Sequence, residues 1–336
     1  MKRDMYQWLE HLQAPGERKA LPIMTYPGLR IVGKSVRDVT TGSRDQFLCI
    51  EALAKRYPAA ATVTIMDLSV EAEAFGSEIR FFDNEVPSVK GKLVSDIADA
   101  RRLKVPRAGD GRTQVYVDAA RMAAENIKDR PVLAGHIGPF SLAGRLMDMV
   151  EIMIALRRDP ETVHTVLEKC AAFLVEYSRA FKECGAGGVI IAEPAAGLIS
   201  PAMCGEFSSR YVKMIVDAVQ DESFVVIVHN CGNTVKLVDS MASTGAGGLH
   251  FGNAVKMTDI LPQIPAGRVA FGNIDPVGFF RNGTPGEMKK KVRGLLEEMR
   301  PYRNFVLSSG CDIPHDIPLQ NADAFFQALE EFNSIS

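Results

Sequence analysis

Eight short apolar runs, nearly all separated by stretches of helical character, leave few folds open to this chain of 336 residues. They cover residues 21–26, 62–68, 131–137, 187–193, 224–228, 248–252, 268–274 and 304–309. The helical stretches fall at 5–12, 43–57, 113–128, 141–150, 159–184, 201–220, 234–243, 284–301 and 320–332. Strand–helix alternation demands a parallel sheet, and eight repeats point to a closed (β/α)8 barrel. A doubly wound open sheet is the alternative, but its glycine fingerprint after the first strand is missing. The glycine-rich GAGG at 185–188 precedes a strand instead of following one. Residues 78–94 alternate in polarity around Asp83-Asn84 and read as a hairpin outside the main sheet. Residues 1–336 are expected to form one barrel domain, with the N-terminal helix in 1–20 packed on it.

Composition narrows the class of function. The charged fraction is 24%, the hydrophobic fraction 46% and the net charge -2. No basic block supports a nucleic-acid or anionic-membrane partner. No run of about 18 apolar residues is present to span a bilayer. The first residues form a charged amphipathic helix without the apolar core of a signal peptide, so a cytoplasmic protein is expected. In that setting the six cysteines are expected as thiols. Cys49 and Cys170 sit in apolar helical contexts and read as core.

In a barrel, chemistry gathers at the carboxyl ends of the strands. Those ends carry Tyr26, Asp67, His136, Glu193, His229 with Cys231, His250, Asp275 and Cys311. The fifth run, FVVIV at 224–228, suits a strand buried on both faces, and it ends in His229-Asn230-Cys231-Gly232. On extended backbone His229 and Cys231 point the same way. The loop after the eighth strand can bring Cys311 to them. One nitrogen and two thiolates suit Zn²⁺, and three protein ligands leave a fourth position for a substrate. The residues alone leave alternatives: Cys231 as a small buried thiol, His229 and His136 as pocket histidines, His250 as a packed ring. Asp67 and Glu193 end apolar strands, where a charge is costly without a partner, which favours a site role. Asp275 can cap the next turn, and Glu71 and Glu73 can begin a helix.

These residues resemble the uroporphyrinogen decarboxylase superfamily, and within it the zinc-dependent methylcobalamin:coenzyme M and related corrinoid methyltransferases. The shared segments are GPFSLAGRLMD at 138–148, EPAAGLISPAMCGEF at 193–207 and FGNIDP at 271–276. MDLSVEAEAFG at 66–76, HNCGNT at 229–234 and SGCDIP at 309–314 resemble the methyltransferase versions. The resemblance implies zinc held by His229, Cys231 and Cys311, a small thiol such as coenzyme M as substrate, and a corrinoid carried by a partner protein. Tyr26, Asp67 and Glu193 would position the substrate's polar end. The direction of transfer stays open.

Uroporphyrinogen decarboxylation is the second expectation. Its signature arginines are missing from MTYPGLR at 24–30, although Asp67 matches the pyrrole-binding acid. A non-catalytic barrel that stores a corrinoid or metal is the third. One departure from the methyltransferases concerns zinc: Asn253 stands where an acid able to complete its shell is expected, leaving water, His250 or Glu193 for that place. No exposed stripe indicates an oligomeric state.

Overall fold

The computed structural model describes residues 3–265 and 267–335. Its strands are β1 (Thr62–Val63), β2 (Glu78–Arg80), β3 (Ser88–Lys90), β4 (Val132–Ile137), β5 (Gly188–Ala192), β6 (Val225–Asn230), β7 (Gly248–Phe251), β8 (Val269–Ile274) and β9 (Phe305–Ser309). Seven of them pair in parallel in the order β1-β4-β5-β6-β7-β8-β9. Every residue of β4 to β9 is buried. That matches their β-branched composition: helices cover one face and a second core fills the other.

Residue parity divides the two faces. Leu133, Ile190, Val225, Ile227, Phe271 and Val306 pack in the inner cluster, while Ala134, Ile191, Val226, Val228, Leu249 and Leu307 pack in the outer, helix-facing one. The helix Met5–Leu12 adds Met5, Trp8, Leu9 and Leu12 to the inner cluster. Asp4 starts that helix by accepting from the amides of Tyr6 and Gln7. The helix therefore lies against the inner core at the N-terminal ends of the strands, away from the loops that carry chemistry.

Two strand expectations change. The run at 21–26 is not a paired strand. Leu307 N–H donates to Lys19 O at 3.1 Å, Leu21 N–H to Leu307 O at 2.8 Å, and Ala60 N–H to Ala20 O at 2.8 Å. The ladder then stops at Pro22, which has no N–H to give. The segment thus stands between β9 and the approach to β1, where an eighth strand would lie, with only an isolated bridge at Ala20. Likewise only Thr62–Val63 of the run at 62–68 pairs as strand, followed by one more bond from Thr64 N–H to Leu133 O. The chain then turns at Asp67 into the helix Val70–Ala74, which contains Glu71 and Glu73. Residues 78–94 contain the antiparallel pair β2/β3, outside the main sheet. Among the described residues, no helix is long and apolar enough to cross a membrane.

Candidate metal centre

Parity along β6 decides which side His229 faces. Val225 and Ile227 point inward, so His229 does too, and the sheet register sets it directly beside His250 of β7. Cys231 follows just beyond the strand in a turn built by Asn230. The Asn230 side-chain oxygen accepts from Gly232 N–H at 2.8 Å, and its amide nitrogen donates to Glu193 O at 2.8 Å. The turn is pressed against the end of β7: a Cβ placed on Gly252 would lie 2.4 Å from Cys231 Cα. Only glycine allows that approach. Cys311 arrives from the loop after β9, where a Cβ on Gly310 would lie 2.7 Å from the Asn253 amide nitrogen.

Ligand atoms of His229, Cys231 and Cys311 all lie within 4.8 Å of one another. A zinc tetrahedron with bonds of ~2.0–2.3 Å has edges of roughly 3.3–3.8 Å, a spacing that falls inside this bound. The Cys231 thiol is pushed down to about 4, first by the hydrogen bond from Cys311. The Cys311 thiol moves the other way, raised by the neighbouring Cys231 and by burial. The pair thus favours one thiolate and one thiol, and both together would need a cation.

Hydrogen bonds behind the ring determine what His229 offers. Ser308 Oγ donates its single proton to Leu21 O at 2.6 Å, so toward His250 it can only accept. His250 Nε2 lies 2.8 Å from that hydroxyl and must carry the proton. Burial, and secondarily His229, holds the His250 pKa well below its usual value, so the ring is neutral and Nδ1 is a bare acceptor. His229 Nδ1, 2.8 Å away, must then donate. Its Nε2 is left as the lone pair, buried and without a hydrogen-bond partner. An orphaned imidazole nitrogen beside two converging thiols is a donor set that fits Zn²⁺. Ser308→Ala frees the His250 tautomer and is expected to weaken zinc binding about 10- to 100-fold, with Ser308→Thr close to wild type, by chelator competition.

A cavity of about 330 Å³ opens above the trio. Tyr26 lines it but donates its hydroxyl to Met66 O at 2.9 Å, so it presents its ring as wall. Asp312 lines it beside Cys311; Thr25 Oγ1 lies 2.9 and 2.8 Å from its carboxyl oxygens. Asp67 and Glu193, expected to touch substrate, are not among the lining residues. Asp67 bonds to Arg112 at 2.6 Å and accepts from Ser69 N–H and Oγ at 2.9 and 2.6 Å. Glu193 accepts from the amides of Phe140 at 3.0 Å and Ser141 at 2.6 Å, at the N-terminus of the helix Pro139–Met147. Burial still pushes Glu193 up to about 7.

Glu193 and His250 both have their polar atoms engaged, and Asn253 is exposed. His136 faces the outer layer between Ile137 O and Ser178 Oγ, and Asp275 caps the turn after β8. Four residues escaped the sequence reading: Arg112, Ser308, Asp312 and Arg145. The alternation of β9 carries a signal for Ser308, two residues past inward Val306. Asp312 adjoins a candidate ligand.

Comparison with known proteins finds relatives of two activities. A methylcobamide:CoM methyltransferase, MtbA, of Methanosarcina acetivorans is 29% identical over 270 residues, covering 79% of this chain and 78% of that protein. A uroporphyrinogen decarboxylase of Pseudoalteromonas translucida is 25% identical over 291 residues, covering 83% and 81%. The solved structure of a methyltransferase from Methanosarcina mazei shares the fold with a TM-score of 0.87, at 22% identity and 98% coverage of both chains. The profile of uroporphyrinogen decarboxylase (URO-D) matches residues 29–332, and the chain belongs to that family.

Proposed function

We propose that this protein is a zinc-dependent methyltransferase, acting as one domain, that moves a methyl group between a corrinoid on a partner protein and a small thiol. The observation that carries this reading is the meeting of His229, Cys231 and Cys311 at one cavity, with His229 Nε2 bare. Zinc held there supplies Lewis acidity that favours the thiolate form of a substrate thiol.

The rest is done by the chain. His229 keeps its lone pair toward the site because His250 and Ser308 hold its other nitrogen. His250 and Glu193 are otherwise bonded, so a fourth ligand to zinc would come from water or substrate. Apolar walls from Ile23, Met66, Leu68 and Pro194 exclude water from the sulfur. The thiol would release its proton to solvent on binding, its sulfur would form the new bond to the methyl carbon, and the broken cobalt–carbon bond would leave its electron pair on the corrinoid. Reading the step backwards describes demethylation of a donor. Asp67 and Glu193 support the walls from behind. The methyltransferase relative from Methanosarcina acetivorans favours this reading.

Decarboxylase relatives are the ground for the second reading. Against it, Asp67 is committed to Arg112, and among the described lining residues Arg145 is the single arginine or lysine. A substrate with many carboxylates finds little to hold it. The test is incubation of zinc-loaded protein with methylcobalamin and a panel of thiols, following loss of the methylcobalamin absorbance. Turnover that requires Cys231 and Cys311 is expected; a protein inert toward every thiol yet active on a porphyrinogen would overturn the proposal.

A further inference from the structure

The sulfurs of Cys231 and Cys311 converge although the residues follow different strands, β6 and β9, with β7 and β8 between them in the sheet. Their ligand atoms lie within 4.8 Å, both residues are half-buried, and both line the cavity of about 330 Å³. The other four thiols stand elsewhere. Cys49 is buried and donates to Thr25 O at 3.3 Å, and Cys184 donates to Phe181 O at 3.1 Å. Cys204 is buried 3.7 Å from Ser209 Oγ, and Cys170 is buried in the helix-facing core. None of these four lines that cavity. Oxidation of a thiol to a disulfide requires access and a second sulfur close at hand, and this pair has both.

Zinc and a disulfide make competing demands on the pair. Two sulfurs on one zinc sit about 3.8 Å apart, whereas a disulfide holds them at about 2.05 Å. Residues 231 and 311 both lie beyond the strand ends, so the movement between those spacings falls on loops and not on the sheet. Once joined, the sulfurs no longer carry the charge that binds a metal, and His229 is the one donor of the trio left. A single nitrogen does not hold Zn²⁺. The open coordination position that admits a substrate also leaves the sulfurs within reach of a small oxidant.

We propose that Cys231 and Cys311 form a reversible disulfide, that a hydroperoxide makes it, and that bound zinc is released as it forms. One sulfur attacks a peroxide oxygen, the O–O bond breaks, the distal oxygen leaves as water, and a sulfenic acid results. The second sulfur attacks the first, the S–O bond breaks and another water leaves. Two zinc-bound thiolates, one hydrogen peroxide and two protons thus give one disulfide, one Zn²⁺ and two waters. The sulfurs are oxidised and the peroxide is reduced. A dithiol reopens the bond by exchange. The inference goes beyond methyl transfer and does not depend on it.

The test treats the zinc-loaded full chain with hydrogen peroxide, follows metal release with a zinc indicator, then blocks free thiols with iodoacetamide and maps the peptides by mass spectrometry. Free thiols are expected to fall from six to four. One linked peptide pair joining residues 231 and 311 should appear, with about one zinc per chain released in step with it. Dithiothreitol followed by zinc should restore both the thiols and the metal. Cys184→Ala is expected to leave the link intact, and Cys231→Ala and Cys311→Ala to abolish it. The wild-type peptide map carries the claim even where a variant fails to fold. A link that involves any other cysteine, sulfinic or sulfonic acid at 231 or 311 without a link, or six unchanged thiols would overturn the assignment. If the link forms but the reduced chain never takes up zinc, the disulfide pair stands and the zinc reading falls.

Discussion

Protein carrying Cys311→Ala, and separately Cys231→Ala, is expected to retain less than about a tenth of the zinc of wild type, which should hold about one ion per chain. Residues 231 and 311 lie on loops after different strands, yet their sulfurs and the His229 nitrogen stand within 4.8 Å. Removing either sulfur leaves two donors, too few for a tetrahedral site against a chelator. Cys184→Ala is the control, because that thiol donates to Phe181 O far from the site and its loss should leave zinc untouched. Zinc binds the folded state, so it should also raise the thermal midpoint of wild type and of the control but not of the two ligand variants. Metal retained in both variants, or none taken up by wild type under reducing conditions, would remove the basis for the proposed chemistry.

The pairing of His229 with Cys231 is legible because strand parity is a local property. Val225, Ile227 and His229 alternate inward on one strand, and two residues further the same direction holds. Residues 224–228 also announce a buried strand by composition alone. What escapes is whatever depends on a partner far along the chain. Asp67 ends an apolar run and reads as a free site acid, but Arg112, 45 positions later, claims it. Nothing near Arg112 marks it as anything but a charged residue opening the helix Thr113–Asn126.

His250 shows the same limit in another form. Its inward position follows from the alternation of β7, but its task depends on Ser308 and on Leu21 O, from opposite ends of the sequence. The expected strand at 21–26 failed for a local reason that was legible, since Pro22 interrupts any ladder. Its apolar neighbours outweighed that signal because they are buried anyway, in the inner core.

The second large effect is expected at Arg112. Its guanidinium donates to Asp67 and Glu73 at 2.6 Å each, to Ser69 Oγ at 2.9 Å and to Thr40 O at 3.1 Å. The Asp67 side chain is fully buried, with 0% of it exposed. Arg112→Met preserves much of the apolar stem but leaves that carboxylate in the interior with only Ser69 and Tyr116. Breaking a buried pair from one side costs about 3–5 kcal/mol, because the remaining charge loses its counterion without regaining water. The thermal midpoint should fall by on the order of 10 °C. Asp67→Asn placed in the Arg112→Met background should recover part of the loss, since the uncompensated charge is then gone. That recovery separates an acid held for structure from one held for substrate. If Asp67 served a ligand and Arg112 were incidental, Arg112→Met would leave the midpoint nearly unchanged, and Asp67→Asn would lower affinity without rescuing anything. The distances favour the first outcome, and with it the view that this acid holds the loop that walls the cavity.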